Sequence, residues 1–306
     1  MSHAPSTVVG IIGLGLVGTA IAQRLMKAGF GCVGFDIDSK ACARFAAAGG
    51  TVATSARDVG QKAARVVTAV FNTGDVLKVI EGVNGALEGM LARDGRDARD
   101  VHNIRVIIDC STGDPEQLTW LNDRLKARDV GFIEAPLSGS SAQIAAGEAT
   151  MLMGGDAAVI AQHAALLNAI APQRLHAGGA GMGARAKLAT NLVLGLNRAV
   201  FAEGMVFAEQ LGIAPEKFLE LVLASPARSD AAAIKGPLMV AGEFAPQSRI
   251  RQHLKDVELM LAQASAHMQR LPLSEAHAAL MRAAVAAGDG ELDNAAIVRQ
   301  LRRERR

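Results

Sequence analysis

The chain of 306 residues contains only three cysteines, Cys32, Cys42 and Cys110. Their odd number and wide spacing exclude a disulfide framework and offer no metal-ligand pattern, so they read as reduced, buried thiols and no metal site is expected. Charge of one sign is also lacking: lysine and arginine exceed aspartate and glutamate by 32 − 30 = 2, too little to indicate a nucleic-acid partner. The basic end, Arg299 to Arg306, reads accordingly as a solvated helix end. No run reaches the ~18 uninterrupted apolar residues of a membrane span, nothing resembles a signal peptide, and no internal repeat or low-complexity linker is present. These absences predict a cytoplasmic protein with no membrane partner. Its 50% hydrophobic and 20% charged residues describe a globular chain long enough for two domains.

Glycine, by contrast, is abundant, with 32 residues. An apolar strand from Thr7 runs into Gly13-x-Gly15-x-x-Gly18, and Asp36 follows Gly15 by 36 − 15 = 21 positions. Three glycines so spaced allow a tight strand-to-helix turn, close backbone approach to a pyrophosphate, and close packing of the next helix on the sheet. The helix start then presents free N–H groups to the phosphates. Context separates this motif from an ordinary glycine turn: Ile21, Leu25 and Met26 give the following helix an apolar face, and Gly29–Gly31 return the chain to a second strand, Cys32 to Asp36. A carboxylate at Asp36 suits ribose hydroxyls and repels a 2′-phosphate, so NAD is favoured over NADP. Lys40 and Arg44 keep NADP open.

Short β-rich runs at Val66–Val70 and Ile104–Asp109, with further strands near Gly131–Ala135, Ala149–Met153 and Arg174–His176, alternate with helical stretches and predict a parallel, doubly wound α/β sheet. The charged stretch Arg93–Asp100 reads as a surface loop. From about Gly183 the pattern turns helical. A long stretch, Ala184–Leu211, places Leu188, Leu192, Leu196, Val200 and Phe207 on one expected buried stripe, and Pro215–Ala224, Gln252–Met268 and Ser274–Ala287 read as further helices. Gly288-Asp-Gly290 breaks the chain before a last one. The expected division is a Rossmann-type domain over residues 6–180 and an all-helical substrate and dimerisation domain over 181–306, joined by the long helix.

Three further constellations carry chemistry. Asp109-Cys-Ser-Thr112 with Pro115 follows a strand at the sheet's carboxyl edge, where ligands bind; helix capping by Ser111, Thr112 or Asp114 is the plainer alternative. Ser138-Gly139-Ser140 after another strand gathers N–H and O–H donors suited to a carboxylate, although such a tripeptide alone is more often a turn. Lys187 and Asn191, four apart on the long helix, share a face beside the apolar stripe. There the lysine either snorkels to solvent or is held as an acid or base.

In this order the motifs resemble the β-hydroxyacid dehydrogenase family over nearly the whole chain. Gly13, Leu14, Gly15, Leu16, Val17 and Gly18 resemble its dinucleotide turn, with Val17 where methionine is usual. Asp109-Cys-Ser-Thr112 resembles its D-x-S-T-x-x-P element and implies a cofactor contact at Thr112. Ala135-Pro-Leu-Ser-Gly-Ser140 is similar to its A-P-V-S-G-G substrate loop, which implies substrate binding by Ser138, Gly139 and Ser140. Lys187 and Asn191 fit its catalytic K-x-x-x-N. Lys255-Asp256 matches a pair whose lysine closes over the cofactor, and Gly288 to Asp293 resembles its closing G-x-G-D-x-D segment.

The resemblance implies reversible hydride transfer between NAD(P) and a short-chain 3-hydroxy acid, in a homodimer or homotetramer. The resemblance implies Lys187 as general acid and base, and no histidine occupies a recognisable catalytic setting; burial and the positive nicotinamide ring favour the neutral amine that this role needs. Asn191 would hold the substrate oxygen. Ser140 replaces a family glycine, and Ser248 replaces a phenylalanine common among relatives. With Arg249 and Arg251 they describe a more polar wall, favouring a hydroxylated acid or diacid. The alternatives are an imine reductase-like enzyme, disfavoured by Lys187 and Asn191, and a catalytically altered NAD(P)-binding relative of the same fold.

Overall fold

The computed structural model describes residues 8–93 and 105–304. The charged stretch Arg93–Asp100, apart from Arg93, lies outside the described residues, as do Thr7, Ile104, Arg305 and Arg306. The chain divides into two compact units, Met1–Lys187 and Leu188–Arg306.

The first unit runs β1 (Val8–Ile12), α1 (Leu16–Lys27), β2 (Gly31–Phe35), α2 (Ser39–Ala47), β3 (Thr51–Val52), α3 (Ala56–Lys62), β4 (Arg65–Thr68), α4 (Thr73–Glu81), α5 (Ala86–Leu91), β5 (Val106–Asp109) and α6 (Pro115–Lys126). It continues through β6 (Gly131–Glu134), β7 (Leu137–Ser138), α7 (Ser141–Ala146), β8 (Thr150–Gly155), α8 (Ala157–Gln162), α9 (Ala164–Ile170) and β9 (Gln173–Gly178). A long helix, α10 (Met182–Gln210), begins here and carries the chain into the second unit. The second unit continues with α11 (Pro215–Leu223), α12 (Asp230–Ala241), α13 (Ile250–Ala266), α14 (Pro272–Ala286) and α15 (Ile297–Arg303).

The sheet order is β3-β2-β1-β4-β5-β6-β8-β7, with β9 paired to β8. Strands β1 to β6 are mutually parallel, in the order of a dinucleotide-binding sheet whose switch point lies between β1 and β4. Alternate side chains serve opposite faces: Val9 and Ile11 pack with Ile21 and Leu25 of α1, whereas Ile12 packs with Val59 of α3 and Ile80 of α4. Helices therefore cover both faces, as expected of a doubly wound sheet. The parallel pattern stops at β6. Strand β8 runs antiparallel to β6 and β7, because the chain turns back through β7 and α7 instead of crossing over the sheet.

One expectation for the helical part is corrected, the apolar stripe on α10. Leu188 is buried and Leu192 and Leu196 are half-buried, but Val200 and Phe207 are 66% and 64% exposed. A strict four-residue step advances ~400° and drifts ~40° each time round a helix of 3.6 residues per turn. The buried face instead passes through Leu188, Phe201, Ala202, Met205 and Ala208. Helix α12, unread in the sequence, contains Pro237 within its span, where Gly236-Pro237 signals a break. Burial holds it helical, since a side chain at Gly236 would press into Leu219 and Phe201. Of the basic end, Arg299 and Arg303 are exposed as expected of a solvated helix end while pairing with buried Asp289, and Arg302 pairs with Glu209.

The cysteines are free, and burial pushes the Cys32 thiol up to about 11. Among the described residues no helix is long and apolar enough to cross a membrane.

In the second unit, burial pulls His277 down from its ordinary 6.5 to about 4, with the Arg198 guanidinium adding to the effect. The unfolded chain then binds a proton that the folded chain refuses between those two values. Stability contributed by the neutral ring is complete above pH 6.5 and is lost as pH falls towards 4, at up to ~1.4 kcal/mol per pH unit. His277→Gln is expected to flatten the fall in thermal midpoint between pH 6.5 and 4, measured by circular dichroism.

Candidate active site

The glycine turn sits at the carboxyl end of β1, beside the switch point. Gly13 has φ +92°, a left-handed conformation that L side chains rarely adopt, and its N–H donates to the Phe35 carbonyl at 2.9 Å. A Cβ on Gly18 would overlap the Gly13 carbonyl oxygen, so only glycine lets α1 start this close to the strand end. Around Gly15 a Cβ would meet nothing within 4 Å, and α1 starts there without a side-chain cap. Open space facing the start of a 12-residue helix fits a pyrophosphate. Leu14, Leu16 and Val17 complete the turn; Leu14 is fully buried.

Asp36 closes this turn from β2. Its Oδ2 accepts the Leu14 N–H at 2.6 Å and its Oδ1 accepts the Asp38 N–H at 2.8 Å. A carboxylate has about four lone-pair sites, so acceptor capacity beyond these two bonds suits ribose hydroxyls. On the neighbouring edge, fully buried Asp109 accepts the Thr68 hydroxyl at 2.8 Å and the Ser111 N–H at 3.1 Å. Ser111 accepts the Val70 N–H at 3.0 Å, locking the loops after β4 and β5 together. Capping of α6 falls to Asp114, which accepts the Gln117 N–H at 2.9 Å, with Pro115 in the first turn. Thr112 is half-buried in this braced loop.

The Ser138–Ser140 segment ends β7. Gly139 adopts φ +149°, and a Cβ there would crowd Ala149. Ser140 forms a capping box on α7: its hydroxyl accepts the Gln143 N–H at 3.3 Å, and its own N–H donates to Gln143 Oε1 at 2.9 Å. The hydroxyl that distinguishes this loop thus has a local structural job. Next to it, the Lys187 ammonium donates to the Leu137 carbonyl at 2.7 Å, and Lys187 is only 6% exposed. The lysine is buried within the first unit, which excludes the snorkelling alternative. The Glu134 carboxylate caps the helix carrying Lys187, accepting the N–H groups of Gly181 and Ala184, the latter at 2.8 Å. Burial pushes this carboxyl above its ordinary range against the opposing effect of those two donors.

Asn191, one turn beyond Lys187 on α10, belongs to the second unit. Its Nδ2 donates to Asp256 Oδ2 at 3.0 Å, and the other oxygen of Asp256 pairs with Lys255 at 2.8 Å. One buried carboxylate on α13 therefore holds both residues. Asp293, fully buried, pairs through both oxygens with Lys235 at 2.9 Å and accepts the Gln247 and Ser248 N–H groups. Ser248 is thereby pinned by its backbone. Arg249 and Arg251 both pair with Glu291 at 3.2 Å, so their charge is met inside this unit.

Glu134 and Asp256 were visible in the sequence only as members of longer motifs. Gly181 and Ala184, bound by Glu134, and Asn191, bound by Asp256, are 47 to 65 residues away in sequence, beyond any local pattern.

The fold and the glycine turn define a dinucleotide-binding protein. Residues 8–179 match the family described as the NAD binding domain of 6-phosphogluconate dehydrogenase. Residues 181–301 match the NAD-binding family of NADP-dependent 3-hydroxyisobutyrate dehydrogenase. The chain is 31% identical to L-threonate dehydrogenase of Cupriavidus necator, over 94% of each chain. To mitochondrial 3-hydroxyisobutyrate dehydrogenase of Bos taurus it is 29% identical, over 99% of this chain and 89% of the relative. A crystal structure of 3-hydroxyisobutyrate dehydrogenase from Salmonella typhimurium superposes with a TM-score of 0.82 at 26% identity, covering 96% of this chain and 99% of that one. The chain belongs to the β-hydroxyacid dehydrogenase family and is an NAD(P)-dependent oxidoreductase.

The clash at Gly18 leads to a direct expectation. Gly18→Ala forces α1 away from the Gly13 carbonyl and weakens NADH binding by about tenfold or more, roughly 1.4 kcal/mol, as read by NADH fluorescence titration.

Proposed function

We propose that this chain transfers a hydride reversibly between NAD and a short-chain 3-hydroxy acid, with Lys187 as general acid and base. The observation that carries the reading is the buried Lys187 ammonium, held 2.7 Å from the Leu137 carbonyl, one residue before Ser138. The bound dinucleotide supplies the hydride acceptor or donor. The protein's part is proton transfer and positioning. In oxidation the Lys187 amine takes the proton of the substrate hydroxyl; in reduction its ammonium returns one to the nascent alkoxide oxygen. Asn191, oriented by Asp256, holds that oxygen, and Ser138, Gly139 and Ser140 grip the carboxylate. Gly13 to Gly18, Asp36, Thr112 and Lys255 hold the dinucleotide. The division into a cofactor domain, 6–180, and a substrate and dimerisation domain, 181–306, belongs to the same proposal.

A hydroxylated acid of the threonate or glycerate type is the preferred substrate. Support comes from the polar replacements Ser140 and Ser248 and from similarity to a protein named L-threonate dehydrogenase. A diacid is the second substrate class of this proposal, resting on the same polar residues with Arg249 and Arg251, which both pair with Glu291. Absorbance of reduced nicotinamide with a panel of hydroxy acids tests the substrate: threonate or glycerate is expected to exceed 3-hydroxyisobutyrate in kcat/KM, and the reverse order refutes the preference. A cytoplasmic location is part of the proposal.

Lys187→Ala is expected to lower kcat on the order of 10²- to 10⁴-fold while NADH binding is retained; near-normal turnover removes the assignment. Asp36→Ala is expected to narrow the ratio of kcat/KM for NAD over NADP, because it removes both a ribose acceptor and a charge that repels the 2′-phosphate. Assembly as a homodimer or homotetramer is supported by the exposed apolar residues Val193, Val200, Phe207 and Leu211 on and just after α10. Phe207→Glu is expected to shift the protein to a smaller species in light scattering coupled to size exclusion.

A further inference from the structure

We infer that Glu134 is a positioning residue that sets where Lys187 stands beside the Ser138–Gly139 segment. The argument rests on a closed ring of contacts within the first unit. Glu134 ends β6 and is 1% exposed. Its carboxylate accepts the N–H groups of Gly181 and Ala184, which are unmatched donors at the start of α10. Three residues after Ala184 comes Lys187, and three residues after Glu134 comes Leu137, whose carbonyl accepts the Lys187 ammonium at 2.7 Å. Two short chain segments are thus joined by a carboxylate at one end and an ammonium at the other.

The start of α10 has no room to settle elsewhere. A Cβ on Gly183 would come within 2.7 Å of the Gly154 nitrogen and 2.9 Å of Glu134 Cβ, so the helix start is seated directly on β8 and β6. Burying a carboxylate is unfavourable, and its raised affinity for a proton records that penalty. A negative charge at a helix start offsets part of it. Aspartate, shorter by one methylene, does not span both donors, whereas glutamine keeps the length but replaces one acceptor with a donor facing an N–H.

This inference rests on the proposed role of Lys187, and the test separates the two. In the full-length protein, Glu134→Gln, Glu134→Asp and Lys187→Ala are compared by kcat, KM, NADH affinity and the rate of reductive methylation at Lys187, read by mass spectrometry. Glu134→Gln is expected to lower kcat about tenfold or more with NADH affinity unchanged, and to raise Lys187 methylation as the amine leaves the Leu137 carbonyl. Glu134→Asp, which keeps the charge, is expected to lie between it and the unsubstituted protein. Unchanged kcat and methylation in Glu134→Gln, with Lys187→Ala inactive, overturn the positioning role and leave the lysine's role standing. Full turnover in Lys187→Ala overturns the lysine's role, and methylation alone then decides whether Glu134 positions it. Should Glu134→Gln not fold, Glu134→Asp decides: methylation and kcat at unsubstituted levels overturn the inference, and faster methylation with lower kcat supports it.

Discussion

The approach of Gly18 to the Gly13 carbonyl oxygen is the contact on which the cofactor half of the molecule depends. It lets α1 begin immediately after β1, so that Ile21 and Leu25 reach the same core as Val9 and Ile11. The same closeness leaves open space at Gly15 and brings the Leu14 N–H to the Asp36 carboxylate. Packing and ligand recognition are not separate achievements here. One missing side chain serves both, because the helix that fills the core is also the helix whose uncapped start faces space suited to a phosphate.

Buried carboxylates then recur as the means of holding loops in place. Asp109 braces the edge after β5, Glu134 caps α10, Asp256 joins Asn191 to Lys255, and Asp293 joins Lys235 to the backbone before α13. Each is desolvated, and each offsets part of that penalty through two or more donors. Such arrangements add little net stability compared with apolar packing. What they supply is geometry: an acceptor with fixed lone pairs holds amides and cations in defined places where an apolar side chain only fills volume.

Local chemistry was readable from the chain where it depends on neighbours in sequence. The glycine spacing, the strand before it and Asp36 all lie within one βαβ unit, where the turn follows β1 and Asp36 follows β2, its carboxylate accepting the Leu14 N–H. Capping at Asp114 was likewise visible as an alternative before Pro115. What failed depended on distance. The four-residue apolar step on α10 ignored helical drift and so assigned Val200 and Phe207 to the interior. Helix α12 was not read at all, because the packing of Gly236 against Phe201 and Leu219 could not be seen. The pairing of Arg249 and Arg251 with Glu291 was not legible either, because their shared partner lies about forty residues on. The antiparallel turn at β8 was hidden for the same reason, since a strand's direction is set by its partners and not by its own residues.

The cradle from Gly13 to Gly18 contains only glycine, leucine and valine. With no titratable side chain, it offers a pyrophosphate nothing that takes up or releases a proton. Binding at that point is therefore free of proton linkage from the cradle's own side chains. A change of pH thus leaves the charge of the cradle itself unaltered.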